Sequence, residues 1–299
     1  MLNHKQCEAF LAVAETGSFD LAAARLHLTA SAVTLRMQSL EKYLGQMLIV
    51  RERPCKTTAA GMALLHYLQH SRLLEQNFIQ SLTGQTSGDF YQVNIAANAD
   101  SLATWLLPAL QPALTAHRIT VHFQVDDQSQ THHLLEAGLV NACVAQESKA
   151  MKGCKAQYLG SMTYRFACTP DFAEKYFAQG VHRESLRAAP AIIFNAKDQM
   201  HTAKIQQRFG LNPAQYPHFF VPSSCAFIDA VMMGLGYGWL PDYQAVTHIK
   251  ERTLIEAAPE LRLELPLYWH HWNQQSDMLN ILSSALLAHA ESMMNQPVD

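Results

Sequence analysis

Apolar residues along this chain follow two different periods. Over the first sixty positions they recur every three or four residues. Leu2, Cys7, Phe10, Leu11 and Ala14 form a helical stripe that Thr16-Gly17 ends. Ser18 is placed to cap a second, short helix through Leu21, Ala22 and Leu26. Thr29 can cap a third, carrying Ala32, Val33, Leu40 and Leu44 up to Gly45. Leu48-Ile49-Val50 then starts an extended segment, with Arg51, Arg53 and Lys56 flanking a Pro54 turn. Three short helices in tight succession, with small Ala22 and Ala23 where two would press together, predict a helix-turn-helix with a basic β-wing. The third helix would turn Ser31, Thr34, Leu35, Arg36 and Gln38 outward, side chains of the kind that meet base edges or grip phosphates. With the capping hydroxyls of Ser18 and Thr29 and the wing cations Arg51, Arg53 and Lys56, these are the candidate duplex-contacting residues.

A longer helix reads from Thr58 to Leu82, with Leu64, Tyr67, Leu68, Leu74, Phe78 and Leu82 as its stripe. A lone helix of that length cannot bury the stripe on a sixty-residue head, which implies a partner helix and a dimer. Thr83–Gly88 is the expected hinge. Beyond it the pattern alternates. Strands are expected at Tyr91–Ala97, Ile119–Val125, Val140–Ala145, Tyr164–Cys168, Ala191–Phe194, His218–Val221 and Leu265–Trp269. Helices are expected at Leu102–Ala116, His132–Ala137, Phe172–Phe177, Met200–Phe209, Ala226–Met233 and Met278–Met293. Such alternation predicts a mainly parallel α/β body with ligand sites at the carboxyl ends of its strands. There Asn98-Ala99-Asp100-Ser101 leaves the first strand with Ser101 as the expected N-cap. Pro222-Ser223-Ser224 precedes another helix, and Asp126-Asp127 ends a strand. Hydroxyl-capped helix starts bind carboxylates, and an Asp pair can answer a cation.

Charge sharpens the division. Residues 21–60 hold six basic and two acidic side chains, whereas residues 91–299 hold 14 basic and 18 acidic ones. A basic head on an acidic body points to a polyanion at one end. Six scattered cysteines with no C-x-x-C read as buried free thiols in a reducing cytosol. The adjacent pairs His132-His133 and His270-His271 should diverge, so no metal is expected. No apolar run is long enough to span a membrane and no signal peptide is evident, which predicts a cytoplasmic chain. G-x-S-x-G, HEXXH and P-loop motifs are absent, and the Gly234–Gly238 run enters a strand from a helix, the wrong order for binding phosphate. An enzyme is therefore the lesser reading, as a small-molecule transferase on the α/β body; a pure ligand-binding protein without a DNA role is the other.

The string Gly17-Ser18-Phe19, Ala22-Ala23, Leu26, Thr29, Ser31–Thr34, Leu40-Glu41, Leu44-Gly45, Leu48, Arg51, Thr58 and Gly61 resembles the winged helix-turn-helix of LysR-type transcriptional regulators. The resemblance extends over the whole chain. It implies a DNA-binding head at 1–60, a linker and dimerisation helix with hinge at 61–88, and an effector-binding body at 89–299 of periplasmic-binding-protein-like form. Its two lobes would be 89–162 with 267–299 and 163–266, with the chain crossing between them near Met162 and Pro266. It also implies promoter DNA and a small-molecule effector as partners, a homodimer or tetramer, contact with RNA polymerase, and no cofactor. The run Asn98–Leu110, with Phe172–Phe177 and Leu267–His270, resembles the lysine- and arginine-responsive branch of that family, which controls amino-acid export. By that match Ser101, Asp126, Asp127, Asp198, His201, Ser223 and Ser224 are ligand candidates, and Asp100 joins them from the Asn98–Ser101 loop. Ala30 and Leu35 depart from the family at base-reading positions. Asn195, Gln199 and Cys225 stand where the branch tends to be acidic.

Overall fold

A computed structural model describes residues 2–65, 67–68, 71–72, 75, 90–126, 131–273 and 275–293. They form two compact units that divide near Thr86–Ser87.

The first unit follows its caps. Helix α1 (His4–Thr16) begins at Asn3, whose side chain accepts from the Gln6 N–H, and ends at Gly17, left-handed at φ 65°. Helix α2 (Phe19–Arg25) is capped by Ser18, and α3 (Ala30–Leu44) by Thr29, with Gly45 left-handed at its end. These limits match the sequence expectation because each is set by one local hydrogen bond or one glycine. Strands β1 (Ile49–Val50) and β2 (Lys56–Thr57) pair antiparallel as the wing. Phe10, Val13, Val33, Met37 and Leu40 close one core with Leu48 and Ile49, and Ala22 and Ala23 sit where their small size lets the helices meet. Gly61 passes so close to the wing that a β-carbon there would lie 2.0 Å from the Leu48 carbonyl oxygen.

Residues 59–65, 67, 68, 71, 72 and 75 are helical. Leu64 is buried in the head's own core and Leu68 packs against it, while Tyr67 is exposed. The first part of the stripe is thus absorbed within the chain, contrary to the expectation that all of it needs a partner. Leu74, Phe78, Leu82 and the hinge at 83–88 lie outside the described residues.

In the second unit, β3 (Tyr91–Ala97) pairs in parallel with β4 (Ile119–Val125) and β5 (Ala142–Ala145). The helical run between β3 and β4 starts at Ala99, widens to a π-helix over Leu102–Leu106 and continues as α4 (Leu107–Ala116); α5 is Thr131–Glu136. The long strand β6 (Cys154–Cys168) leads to α6 (Pro170–Phe177), α7 (Arg183–Ala188), β7 (Ala191–Ile193), α8 (Gln199–Phe209) and β8 (His218–Phe220). Then come α9 (Ser224–Met232), β9 (Gly238–Pro241), α10 (Asp242–Lys250), β10 (Ile255–Glu256), β11 (Leu263–Trp272) and α11 (Asp277–Met293).

The main sheet runs β10-β6-β11-β5-β3-β4, with β9 on β6. It is mixed, and the mainly parallel expectation is corrected: β6 pairs antiparallel with β9, β10 and β11, and β11 with β5. The cause is that β6 and β11 each run through both lobes in opposite directions. Their ladder pairs Met162 with Leu265 and Ser161 with Pro266, and its register shifts between Leu267 and Tyr268. The sequence reading also missed β6 before Tyr164, together with α7, α10 and β10, whereas β9 is the strand expected to follow the Gly234–Gly238 run. In the first lobe Leu279, Leu282 and Leu286 of α11 are buried in the main body core. Among the described residues no helix is long and apolar enough to cross a membrane.

Candidate functional site

On the head, Ser31, Thr34, Leu35 and Gln38 stand at i, i+3, i+4 and i+7 and share one ridge of α3, opposite buried Val33, Met37 and Leu40. Leu35 is 66% exposed, and Ser31 and Gln38 are exposed beside it. Thr34 Oγ1 donates to the Ala30 carbonyl at 2.9 Å. Thr29 Oγ1 accepts from Ala32 N at 3.2 Å and lies 3.0 Å from Ser31 Oγ. Ser18 is half-buried and accepts from Leu21 N, so its hydroxyl serves α2. Arg36 departs from the reading. At about 100° per residue it lies on the flank, away from the ridge, and it is half-buried. Seven-residue periodicity groups 31, 34, 35 and 38 and leaves 36 out.

The wing is held by Glu41, whose Oε1 accepts from Leu48 N at 2.9 Å. Its cations are exposed: Arg51 lies over the Phe19 ring at 5.2 Å, Lys56 is 3.4 Å from Glu52, and Arg53 sits between the strands. Such a surface pair contributes little to folding and leaves the wing with a net positive charge.

In the body, a cleft opens where the C-terminal end of β3 faces the starts of α8 and α9. Five of the eight ligand candidates line it: Asp100, Asp126, Asp198, His201 and Ser224. Ser101 is fully buried beneath it, and its hydroxyl has no partner among the described residues. It is not the N-cap, because the helical run begins two residues earlier, after Asn98. Ser223 is exposed and caps α9 by accepting from Ala226 N. Asp127 lies outside the described residues.

Asp100 joins the two lobes. Ser224 Oγ donates to its Oδ1 at 2.6 Å and Tyr164 to its Oδ2 at 2.8 Å, while Gln244 Nε2 donates to Ser224 Oγ at 3.1 Å. Burial raises its carboxyl above the usual carboxylate range, and the hydroxyls of Ser224 and Tyr164 act the other way. Asp198 caps α8, its two oxygens accepting from His201 N and Phe194 N. His201 is 1% exposed, with neither ring nitrogen partnered among the described residues. Burial, then nearby His218, lowers it to about 3 and keeps the ring neutral. It stacks on Tyr237 and meets Trp239 edge to face at 5.0 Å.

Phe194, Met200, Phe227, Trp239 and Pro241 supply apolar wall, and among the described residues no Lys or Arg lines the cleft. The sequence reading missed these residues together with Tyr164 and Gln244. A strand pattern at Tyr237–Leu240 with a cap-like Pro241-Asp242 was the available signal. Asn195 Oδ1 accepts from Lys197 N in a local turn. Cys225 is exposed on the first turn of α9, and Cys7, Cys143, Cys154 and Cys168 are the buried free thiols the composition predicted. His132 and His133 do not diverge as expected: on α5 they and Glu136 bring one ligand atom each within 4.8 Å.

A winged helix-turn-helix with an exposed polar ridge, followed by a bilobed body around an acidic cleft, defines a ligand-responsive DNA-binding regulator. Two family patterns match the chain, "Bacterial regulatory helix-turn-helix protein, lysR family" over residues 4–62 and "LysR substrate binding domain" over residues 87–291. The chain belongs to the LysR family of bacterial transcriptional regulators, not to an enzyme family. It is 38% identical to the HTH-type transcriptional regulator ArgP of Photobacterium profundum over 295 residues, covering 99% of each chain. The crystal structure of ArgP from Mycobacterium tuberculosis matches with TM-score 0.80 and 31% identity over 99% of this chain and 100% of that one. Full-length LysG from Corynebacterium glutamicum with bound effector Arg matches with TM-score 0.74 and 30% identity over 97% of this chain and 99% of that one.

Proposed function

We propose that this regulator senses a basic amino acid, lysine or arginine, in the body cleft and controls genes for amino-acid export or metabolism. The observation that carries this reading is the cleft lining: three carboxylates, Asp100, Asp126 and Asp198, with no lysine or arginine among the described residues beside the apolar walls. Such a lining rewards a cation on an aliphatic stem, because burying a charge is costly without an opposite one. The bound arginine named for LysG supports the same class of ligand. Asp127, Ser101 and Ser223 complete the proposed set, Ser101 through a buried hydroxyl that has no partner among the described residues.

On the head, the α3 ridge of Ser31, Thr34, Leu35 and Gln38 enters the major groove, with Thr29 and Ser18 at the helix starts. Arg51, Arg53 and Lys56 hold backbone phosphates, and Arg36 reaches phosphate from the flank. The division stays at 1–60, 61–88 and 89–299, with lobes exchanging near Met162 and Pro266. The regulator works in the cytoplasm as a homodimer or dimer of dimers on paired half-sites. Ligand acts by binding one arrangement of that oligomer more tightly than the other.

A thermal-shift screen of the full chain with the twenty amino acids tests the ligand, and anisotropy of labelled promoter DNA with and without the responding amino acid tests the coupling. Stabilisation by lysine or arginine above the neutral amino acids is expected. A screen in which neither stabilises the protein overturns the ligand assignment, and DNA affinity indifferent to a bound ligand overturns the coupling.

A further inference from the structure

The three cleft carboxylates are not equivalent. Asp126 is exposed at the rim, where water screens its charge. Asp198 is spent on two backbone N–H groups at the start of α8, where the helix dipole already favours a negative charge. Asp100 is half-buried in the cleft, and its carboxylate accepts from two neutral hydroxyls, Ser224 Oγ and Tyr164 Oη, with no cation among the described residues acting on it. Those donors also belong to different parts of the body. Asp100 leaves β3 in the first lobe, Ser224 opens α9 in the second, and Tyr164 lies on the crossing strand β6.

We propose that Asp100 is the charge-reading residue of the cleft and at the same time its interlobe clasp, so that a ligand's side-chain cation is sensed through the contact that holds the lobes together. The inference rests on the basic-amino-acid reading above. Physically, two hydroxyl donors occupy only half of the roughly four acceptor directions a carboxylate offers. An ammonium or guanidinium can therefore add to Asp100 without displacing Ser224 or Tyr164. The added cation supplies the missing countercharge and strengthens the carboxylate as an acceptor for both hydroxyls. A neutral ligand of equal length fills the same space and leaves the clasp as it was.

The test uses the full chain, with lysine and norleucine as probes, since they share a four-carbon stem and differ in the terminal amine. Calorimetry should give wild type a preference for lysine of roughly 30-fold or more, the span expected for one desolvated charge pair. In Asp100→Asn that ratio should fall to near one. A residue that merely held the lobes together would lower both affinities alike and leave the ratio intact. Asp126→Asn and Asp198→Asn, run in parallel, should keep the ratio; if either erases it, that residue reads the charge and the inference is wrong, even were Asp100→Asn not to fold. Hydrogen exchange tests the clasp: lysine should slow the amides of Asn98–Leu106 and Ser224–Met232 together, and norleucine only the first segment. Equal protection by both probes overturns the clasp. If wild type binds neither lysine nor arginine, the basic-amino-acid reading itself fails, a result distinct from an unchanged ratio in Asp100→Asn.

Discussion

The Arg165 network behind the cleft supports a quantitative prediction. The Arg165 side chain is 14% exposed on β6 and donates to Asp242 Oδ1 at 2.7 Å and Oδ2 at 3.2 Å, and to Glu256 at 3.0 Å. Arg262 closes the far side of Glu256, with bonds of 2.5 and 2.6 Å. Asp242 is the first residue of α10, and its helix carries Gln244 into the cleft against Ser224. Replacing Arg165 by Ala strands Asp242, 10% exposed and without any other ion pair among the described residues, and leaves Glu256, 9% exposed, to Arg262 alone. Breaking a buried pair in this way costs about 3–5 kcal/mol. At about 2–4 °C per kcal/mol for a unit of this size, that is a fall in Tm of roughly 6–20 °C.

Tryptophan fluorescence isolates the effect, because all four tryptophans, Trp105, Trp239, Trp269 and Trp272, lie in the body. The triple variant Arg165→Met, Asp242→Leu, Glu256→Leu should recover most of the loss, since apolar side chains of similar volume leave no buried charge uncompensated and Arg262, 46% exposed, is solvated. The pH dependence has a definite sign. Burial opposes the Glu256 charge, but Arg262 and Arg165 outweigh it and hold the carboxyl below its ordinary range. A depressed folded-state value contributes stability that is present above the unfolded value, near 4.3, and is lost as pH falls through the folded one. Wild type should therefore lose this contribution in acid, and Arg165→Ala should show a shallower acid limb. A loss below about 1 kcal/mol, with acid limbs superimposed, would refute the argument that these charges are effectively desolvated.

Three further outcomes follow from the structure. Arg53→Ala should weaken duplex binding about equally across sequences and reduce the salt slope by about one, read from anisotropy at several salt concentrations. Phe10→Ala, which empties a fully buried site in the head, should cost about 3–5 kcal/mol and abolish DNA binding while the tryptophan-detected transition of the body stays in place. His201 must take up a proton on unfolding, so stability should fall with pH from about 6.5 down to about 3, at up to about 1.4 kcal/mol per unit. His201→Phe should flatten that limb, and an unchanged limb would mean that the ring is solvated.

The features legible in the chain alone are local ones. Ser18 and Thr29 start two helices and Gly17 and Gly45 end two, each through a bond or a backbone angle within a few residues. The same holds for the exposed ridge of α3, which needs only helical spacing, though spacing read loosely put Arg36 on it. Ser224 was also legible from a local signal, since it opens a helix, whereas Asp198, which caps one, entered only through the family resemblance. Long-range contact settled the rest. Whether β6 and β11 pair antiparallel depends on partners about a hundred residues apart, and nothing in either strand records its neighbour's direction. Trp239 and Gln244 became cleft residues, and Tyr164 a donor to Asp100, for the same reason, since their strands and helix come together only after both lobes have formed. Even the Asp100 environment belongs to this class: an acidic residue after a strand end is an ordinary solvated turn until the Ser224 hydroxyl of the second lobe closes on it.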